Sequence, residues 1–371
     1  MDSLLATYHL TSSAQDIAAR AAALALEQSV EMPDAAIRSQ FVRDHTLAKV
    51  ASITPLSEQH YCVVLELGVA TTGFEAGQLM NMLFGNCSLQ EDVQLVDAEF
   101  PEALLAAFPG PKFGLDGIRD RTGVYARALT CTALKPQGLS APELGDLCGT
   151  FARAGIDIIK DDHGIADQSY ARFAERIYAC QRAIEQGGQE IGKLACYAPS
   201  LSGGPKMLRE QIHIAANEGV EMLLATPMVM GLPVFQELIT DDIKVPVLAH
   251  PALSGALRIA PPLFYGKLFR MLGADAVIFP NFGGRFSYSA ETCVQLVTAA
   301  RATPFGNYRA SLPVPAGGMS VERVPEMLAT YGIDTMLLIG GGLLTAGEEL
   351  LARSRQFVEK VADASKLAAA A

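Results

Sequence analysis

Eight short apolar segments, which recur at roughly 30-residue intervals after residue 127, are the feature that most restricts the fold. Each ends at a polar residue or at a glycine or proline cluster, and segments of helical period separate them. Fully apolar segments that alternate with helices are typical of parallel strands covered by helices. The sequence therefore predicts a (β/α)8 barrel rather than a doubly wound open sheet, since no GxGxxG motif follows the first segment. The eight segments are Ala128–Lys135, Ile156–Asp162, Lys193–Ser200, Glu221–Pro227, Val245–Pro251, Ala276–Asn281, Ser311–Gly318 and Thr335–Gly342.

The region before the barrel has a different pattern, in which strands and helices are mixed. Its predicted order, β-α-β-β-α-β, is that of a ferredoxin-like domain. Breakers between Pro101 and Pro111 mark its end. We therefore predict a ferredoxin-like N-terminal α+β domain over residues 1–110 and a catalytic (β/α)8 TIM barrel over residues 111–371. The predicted N-terminal elements are strands Leu4–Leu10, Leu47–Ile53, Tyr61–Val69 and Val93–Glu99, and helices within Ser13–Gln28 and Phe74–Phe84.

Composition restricts the possible partners and the compartment. The 29 basic residues against 40 acidic ones give a net charge of −11 without a basic cluster, which argues against nucleic acid and anionic membranes as partners. No apolar run approaches the roughly 20 residues of a membrane span, and the N-terminus lacks a secretory pattern. The seven cysteines are scattered without a CxxC pair, which suits reduced thiols. We expect a cytoplasmic protein.

Ionisable side chains lie at the carboxyl ends of three of the apolar segments. In a (β/α)8 barrel, active sites lie at this end of the strands. Lys135 closes the first segment, Lys160-Asp161-Asp162-His163 closes the second, and His250 closes the fifth. Because residues i and i+2 share a face of a strand, Lys160 and Asp162 are expected to point together into the barrel mouth. An ammonium group cannot bind a metal ion, but a lysine carbamate presents oxygens, which Mg²⁺ prefers. Two interpretations remain: a divalent cation site, or a salt-bridge cluster that holds the mouth together.

Glycine clusters follow the seventh and eighth segments, at Gly317-Gly318 and Gly340-Gly341-Gly342. Successive backbone N–H groups without Cβ atoms can cradle an anion. Barrel enzymes commonly bind phosphate with the loops after strands seven and eight. The sequence therefore predicts a phosphate site at these glycines.

Five stretches, in this order, make the chain similar to members of the RuBisCO superfamily over nearly its whole length. They are FGNCSLQEDVQLVDAEFP, FPGPKFGLDGIRDRTGVYARALTCTALKPQGLSAPEL, AGIDIIKDDHG, PVPAGGM and LLIGGGLL. The KDDH strand and the FPNFGGRFS loop most resemble form IV, the RuBisCO-like proteins, in the branch that acts on 5-methylthioribulose 1-phosphate.

The resemblance implies roles for individual residues. Lys160 would carry the carbamate (N6-carboxylation) and bind Mg²⁺ with Asp162, while His163 stands where the family usually has a glutamate ligand, which changes the donor chemistry. Lys135 would transfer protons beside His250. Phosphate would be bound by Gly317, Gly318, Gly341 and Gly342. The remaining candidates for substrate binding in the barrel are Arg285 and Asn281. Asn86 would bind substrate in the site of the neighbouring subunit of a homodimer. Glu27 would match a second acid of the N-terminal domain.

Departures from the carboxylases imply that the chain does not fix CO2. No lysine lies between Lys267 and Lys360, where the carboxylases need one after strand six. The position of the arginine that binds a second phosphate holds Pro251, and the chain has no tryptophan. A ketose monophosphate with an unphosphorylated apolar end is therefore the expected ligand. The candidate pocket for that end is lined by Phe279, Phe282 and Phe286.

The common chemistry of the superfamily, enolisation next to a carbonyl, implies an isomerase. The expected reaction converts 5-methylthio-D-ribulose 1-phosphate to xylulose- or ribulose-type 5-phosphates in methylthioadenosine and sulfur salvage. Two other enzymes remain as alternatives: a 2,3-diketo-5-methylthiopentyl-1-phosphate enolase, and a 3-oxo-isoapionate-4-phosphate decarboxylase or hydrolase. A noncatalytic sugar-phosphate-binding regulator is the alternative from another class, but it predicts the loss of Lys135 or of the metal ligands, which are present.

Overall fold

The computed structural model describes residues 2–286 and 288–370, which form two compact units. The first comprises the residues up to Pro109 together with Ser254–Phe264 and Pro304–Asn307. The second comprises Gly110–Leu253, Tyr265–Thr303 and the residues from Tyr308 onward. The predicted domains, 1–110 and 111–371, are continuous segments, and their bounds stay predictions.

The first unit contains a four-stranded antiparallel sheet with the strand order β2-β3-β1-β4. Alternate residues of β1 (Leu4, Ala6, Tyr8 and Leu10) are fully buried, so one face of this strand belongs to the core. The predicted ferredoxin-like order is confirmed. Its strands are β1 (Ser3–Thr11), β2 (Lys49–Pro55), β3 (His60–Gly68) and β4 (Val93–Glu99), and its helices are α1 (Ile17–Glu27), α2 (Gln40–His45), α3 (Ala76–Phe84) and α4 (Glu102–Leu105).

The second unit is an eight-stranded parallel barrel, as predicted. Its strands follow the order β7-β6-β5-β12-β11-β10-β9-β8, and a parallel bridge between Ser200 and Leu224 joins the two ends of this order. The strands are β5 (Leu129–Leu134), β6 (Ile158–Asp161), β7 (Cys196–Ala198), β8 (Leu223–Ala225), β9 (Val247–Ala249), β10 (Ala276–Pro280), β11 (Leu312–Ala316) and β12 (Met336–Leu338).

Helices alternate with the barrel strands. The first long one begins with a reciprocal cap, in which Ser140 and Glu143 satisfy each other's backbone N–H groups. Among the described residues, none of the helices combines the length and the apolar character needed to cross a membrane. The helices are α5 (Gly114–Thr122), α6 (Ala141–Arg153), α7 (Phe173–Ile191), α8 (Pro205–Asn217), α9 (Pro227–Met230), α10 (Leu232–Glu237), α11 (Phe269–Met271), α12 (Ala290–Arg301), α13 (Val324–Tyr331), α14 (Gly341–Leu344) and α15 (Leu350–Ala370).

A buried ion pair lies at the amino end of β6. The carboxylate of Asp157 accepts hydrogen bonds from Arg127 at 2.7 Å, from Lys193, and from the backbone N–H of Thr130 at 2.8 Å. Although burial raises the pKa of Asp157, the two basic side chains hold it below its ordinary value. This carboxylate therefore stays ionised inside the protein.

The interior of the barrel is apolar and determines which side chains face its mouth. Ile158, Ala198, Leu224 and Leu248 belong to one buried core cluster. Because alternate residues of a strand share a face, the inward positions nearest the carboxyl ends of these strands belong to Lys160, Asp162, Ser200, Thr226 and His250.

Candidate active site

A lysine and an aspartate from neighbouring strands form an ion pair at the mouth of the barrel. Ala133 of β5 pairs with Lys160 of β6, so that the next inward positions, Lys135 and Asp162, are also neighbours. Lys135 Nζ lies 2.8 Å from Asp162 Oδ1, and His163 Nδ1 lies 3.5 Å from the same oxygen. Burial raises the pKa of Asp162, but hydrogen bonds from His163 and Lys135 outweigh it and hold this pKa well below its ordinary value. Asp162 is therefore a carboxylate at neutral pH.

Lys160 lies beneath this ion pair, and only 3% of it is exposed. Its Nζ donates a hydrogen bond to the main-chain oxygen of Asp161 at 2.9 Å. Burial lowers the pKa of Lys160, and the charge of Lys135 acts in the same direction. A lowered pKa favours the neutral amine, which is the form of lysine that can react with CO2 to give a carbamate.

Two imidazole rings stack across the mouth of the barrel. The ring centroids of His163 and His250 are 4.0 Å apart, with an interplanar angle of 11°. His250 Nδ1 accepts a hydrogen bond from the backbone N–H of Ala252 at 3.1 Å. Burial, with the charge of Lys160, lowers the pKa of His250 to about 2. The ring is therefore neutral, and its proton is carried by Nε2.

The residues present fit a divalent cation only with a modified lysine. Among residues 2–286 and 288–370, no group of three or more histidine, cysteine, aspartate or glutamate side chains forms a ready metal site. The donors at the mouth are the Asp162 carboxylate and the His163 imidazole, and a Lys160 carbamate would supply the missing oxygens. With that group the donor set becomes one that a hard cation accepts. Lys160, Asp162 and His163 as a metal site therefore stay a prediction.

Asp161 points to the opposite face of β6 from Lys160 and Asp162. Its carboxylate accepts hydrogen bonds from Arg176 Nε at 3.0 Å and from the Tyr197 hydroxyl at 2.7 Å. The side chains of Asp161 and Arg176 are both 0% exposed. The KDDH run therefore divides between two roles: Asp161 belongs to a buried structural ion pair, and Asp162 belongs to the mouth.

The glycine loops after β10, β11 and β12 contact one another closely. Gly318 has a φ of +66°, and a Cβ atom there would lie 2.2 Å from Gly284 Cα, so no other residue fits. A Cβ on Gly340 would lie 3.7 Å from Lys135 Cε, so the loop after β12 adjoins the ion pair. A Cβ on Gly341 would meet nothing within 4 Å. Phosphate binding by Gly317, Gly318, Gly341 and Gly342 stays a prediction.

The structure does not bring Asn281 or Arg285 into this cluster. Asn281 is fully buried, with its amide oxygen 2.6 Å from the Tyr331 hydroxyl and its Nδ2 within 3.2 Å of the sulfurs of Met319 and Met327. Arg285 lies on an exposed loop, with its guanidinium 5.0 Å from the centroid of the Phe286 ring. The substrate-binding roles of both residues stay predictions.

The expectation that Phe279 lines a pocket is wrong, because this residue is fully buried and its ring packs edge-on against Tyr331 at a centroid distance of 6.0 Å. Phe282 is only half-buried, with its ring centroid 6.2 Å from that of Tyr331, so its place in a pocket stays a prediction. Phe286 is 47% exposed and lies beside Gly317 instead.

A polar cluster within the first unit surrounds Asn86. Its exposed side chain donates from Nδ2 to Glu27 Oε1 at 2.9 Å and to Glu31 Oε1 at 2.8 Å. The structure thus brings together Asn86 and Glu27, which the sequence pairs only through a weak local resemblance. Sequence reasoning missed Glu31, a residue with a φ of +51°.

A small cavity beside His163 was also missed. It has a volume of about 90 Å³ and lies between the loop after β7 and the short helix α9. The only sequence signal for it is Thr226, a hydroxyl residue at an inward position near the end of the fourth apolar segment. Its walls are formed by His163, Leu201, Ser202, Gly203, Thr226, Val229 and Met230.

Comparisons with known proteins agree with this architecture. Residues 114–350 match the model of the ribulose bisphosphate carboxylase large chain, catalytic domain. A protein named 5-methylthioribulose-1-phosphate isomerase, from Rhodospirillum rubrum, is 50% identical over 98% of this chain and 97% of its own length. A 2,3-diketo-5-methylthiopentyl-1-phosphate enolase from Geobacillus kaustophilus is 33% identical over 92% of this chain and 88% of its own length. The crystal structure of a Rubisco-like protein from Rhodopseudomonas palustris, 45% identical, superposes with a TM-score of 0.91 over 98% of both chains.

Proposed function

This chain belongs to the family of the ribulose bisphosphate carboxylase large chain and the RuBisCO-like proteins, and we propose that it is an isomerase within that family. It converts 5-methylthio-D-ribulose 1-phosphate to xylulose- or ribulose-type 5-phosphates in methylthioadenosine and sulfur salvage. The observation that carries this proposal is the Lys135–Asp162 ion pair, 2.8 Å long, at the mouth of the barrel. It places a lysine, which in its neutral form can move a proton next to a carbonyl, beside a carboxylate that orients it. The relative from Rhodospirillum rubrum, by its name, supports the choice of substrate.

A bound Mg²⁺, held by Asp162, His163 and the carbamate of Lys160, would act as a Lewis acid towards the negative charge that develops on the ketone oxygen. Lys160 is buried and has a lowered pKa, which supports its carboxylation.

Proton transfer is assigned to Lys135. In its neutral amine form, the Lys135 Nζ, oriented by Asp162, takes a proton from C3 and returns it to C2, so that the carbonyl moves from C2 to C3. A second transfer of the same kind, from C4 to C3, moves the carbonyl to C4, which is C2 of the product when its carbons are numbered from the methylthio end. The neutral His250 donates a hydrogen bond from Nε2 to a substrate oxygen. Backbone N–H groups of Gly317, Gly318, Gly341 and Gly342 bind the phosphate. The absence of a lysine between Lys267 and Lys360 leaves the enediolate to be reprotonated rather than carboxylated.

The active site is shared between two subunits of a homodimer. Asn86, oriented by Glu27 and Glu31, contacts the substrate bound in the barrel of the partner. The Asn86–Glu27 hydrogen bond of 2.9 Å supports this assignment, since an exposed amide held by two carboxylates is oriented before the substrate arrives.

Deuterium wash-in tests the proposal. The protein is incubated with 5-methylthioribulose 1-phosphate and Mg²⁺ in D2O, and the carbon-bound protons are followed by NMR. We expect loss of the proton signal next to the carbonyl and the appearance of the 5-phosphate product. Lys135→Ala abolishes the exchange, whereas Lys206→Ala, at an exposed lysine on α8, leaves it unchanged. Normal exchange by Lys135→Ala would refute the role of Lys135, and the absence of exchange by the wild type would refute enolisation.

The enolase reaction is the second candidate. Several relatives named 2,3-diketo-5-methylthiopentyl-1-phosphate enolase, at 30 to 33% identity, cover 92% of this chain. The two reactions separate in one experiment, in which each substrate is supplied alone. Turnover of the diketone and not of the ketose would favour the enolase.

A further inference from the structure

Arg323 lies where the loops after β10 and β11 meet. It comes directly before α13 and five residues after Gly318. Its Nη1 donates to the main-chain oxygen of Phe282, in the loop after β10, and to that of Gly318, in the loop after β11, each at 3.2 Å. One guanidinium group therefore joins the two loops through their backbones.

Two further contacts fix the orientation of the Arg323 side chain. Its Nε lies 2.9 Å from Glu326 Oε2, one turn along α13, and its Cζ lies 5.3 Å from the centroid of the Phe282 ring. A carboxylate and an aromatic face held against a planar guanidinium restrict its rotation. The Arg323 side chain is 22% exposed, so water screens these contacts only in part.

Glycines on both loops allow this close approach. A Cβ on Gly283 would lie 3.3 Å from Arg323 Nη2, and a Cβ on Gly284 would lie 2.7 Å from the main-chain oxygen of Gly317. Gly317 and Gly318 have φ values of +80° and +66°, a conformation that other residues rarely adopt. The backbone N–H groups of these two residues, the predicted phosphate donors, therefore belong to a segment whose shape depends on the loop packed against it.

Asn281 makes a second connection between the same two loops. Its backbone N–H donates to the main-chain oxygen of Ala316 at 2.8 Å, which extends the pairing of β10 with β11. Its Nδ2 lies 3.2 Å from the Met319 sulfur, and its amide oxygen accepts from the Tyr331 hydroxyl at 2.6 Å. Because Asn281 is fully buried, this connection fixes the bases of the loops and leaves their exposed parts to Arg323.

We propose that Arg323 is a positioning residue, which holds the loops after β10 and β11 in one arrangement and thereby orients the backbone N–H groups of Gly317 and Gly318 for a phosphate. This role rests on the proposed function, since it needs the phosphate of the ketose to bind at these glycines. Backbone N–H groups bind an anion best when they are aligned before it arrives, because ordering them on binding costs affinity. Arg323 donates to two carbonyl oxygens and to Glu326, so it acts through the loops rather than as a phosphate ligand.

Amide hydrogen exchange and a phosphate titration together test this role. Arg323→Ala should raise the exchange rates of residues 281–286 and 316–322 by about fivefold or more, and it should leave α6 at the wild-type rate because the fold is kept. The Kd of inorganic phosphate, measured by phosphorus NMR titration, should rise about fivefold to tenfold. Arg323→Lys keeps the positive charge but lacks the planar fork that spans two carbonyl groups, so it should rescue neither quantity in full.

Arg182→Ala is the matched control. Arg182 also pairs with a glutamate three residues later, with its Nη1 2.7 Å from Glu185 Oε2. It also lies over an aromatic ring, with its Cζ 5.4 Å from the centroid of Tyr178. Both of these partners belong to α7 itself, so Arg182→Ala should change neither loop exchange nor phosphate binding.

The two measurements separate the possible outcomes. Unchanged loop exchange in Arg323→Ala would overturn the positioning role, and a loss of phosphate affinity alongside it would make Arg323 a direct ligand instead. Looser loops with an unchanged Kd for phosphate, or full rescue by Arg323→Lys, would overturn the role as well. If the wild type binds no inorganic phosphate, the phosphate site of the proposed function fails and this role fails with it, whereas deuterium wash-in tests the enolisation separately.

Discussion

Asp161 and Asp162 are adjacent on β6, yet the structure predicts opposite results when each is replaced by asparagine. The side chains of Asp161 and Arg176 are both 0% exposed, so Asp161→Asn leaves a buried guanidinium without its counter-charge. Breaking a buried pair in this way costs about 3–5 kcal/mol in the free energy of unfolding. For a unit the size of this barrel, the melting temperature should fall by about 6–20 °C, at ~2–4 °C per kcal/mol.

Asp162→Asn should leave the fold nearly intact and remove the chemistry. The side chains of Asp162 and Lys135 are 16% and 35% exposed, so their ion pair is partly screened by water. Such a pair contributes at most about 1 kcal/mol, which corresponds to a melting shift below about 4 °C. Without the carboxylate that orients Lys135, deuterium exchange should fall by about 100-fold or more.

Thermal melting followed by circular dichroism, together with deuterium wash-in below the melting temperature, measures both effects. Asp161→Asn should keep most of the exchange rate at a temperature where it is folded, and Asp162→Asn should lose it. The division of β6 into a structural face and a chemical face would be refuted if Asp162→Asn destabilised the protein as much as Asp161→Asn. It would also be refuted if Asp161→Asn melted like the wild type.

Three further outcomes follow from other parts of the structure. Burial raises the pKa of Asp157, but its two basic partners lower it more, so the pKa in the folded protein lies below the unfolded value of about 3.9. The stability that this carboxylate contributes is therefore complete above about pH 5. It is lost as the pH falls through the folded pKa. The melting advantage of the wild type over Asp157→Asn should therefore be present at pH 7 and shrink below pH 4, and an advantage that persists unchanged to pH 3 would contradict this. Gly341→Ala meets nothing within 4 Å and should melt like the wild type, yet raise KM for the phosphorylated substrate, whereas Gly204→Ala, an equally open glycine at the start of α8, should change neither quantity. Mixed subunits carrying Asn86→Ala and Lys135→Ala, each inactive alone, should recover about a quarter of the wild-type rate. About half of the dimers in an equal mixture are heterodimers, and one of the two sites in each heterodimer is intact. No recovery after mixing would refute a shared site.

Much of the fold was predictable from the sequence because burial on both faces makes each barrel strand apolar throughout. The predicted segments extend beyond the hydrogen-bonded strands, as with Lys193–Ser200 against Cys196–Ala198. Ala195, Pro199 and Ser200 are buried like the strand itself, whereas Leu194 is apolar in sequence but 62% exposed. In the first unit, the alternation of apolar residues placed β1 and β3, whose buried residues alternate along the strand, whereas β2 has no buried residue.

The candidate site was predictable only where strand periodicity decides the direction of a side chain. The rule that i and i+2 share a face correctly paired Lys160 with Asp162. It could not show that Asp161 pairs with Arg176, because this contact depends on how α7 packs on the barrel. Asn281 also follows a strand, but its amide is satisfied by Tyr331, 50 residues further along the chain. Such partners are determined by packing between distant elements rather than by local pattern.

The small cavity beside His163 was invisible for the same reason, since it is formed where two loops meet. Of the three phenylalanines predicted to line an apolar pocket, Phe279 lies within β10 and is fully buried against Tyr331. An apolar residue at a strand end therefore does not by itself identify a pocket.

The ring of eight strands fixes which carbon can react in a ligand that is held by its phosphate. Hydrogen-bond register between β11, β12 and β5, rather than loop flexibility, sets the separation between the glycine loops and Lys135. In the proposed binding mode, the carbon that meets the Lys135 amine is therefore selected by its number of bonds from the phosphate. A ketose with one more carbon between the phosphate and the carbonyl would present the wrong carbon to that amine even though its phosphate could still bind.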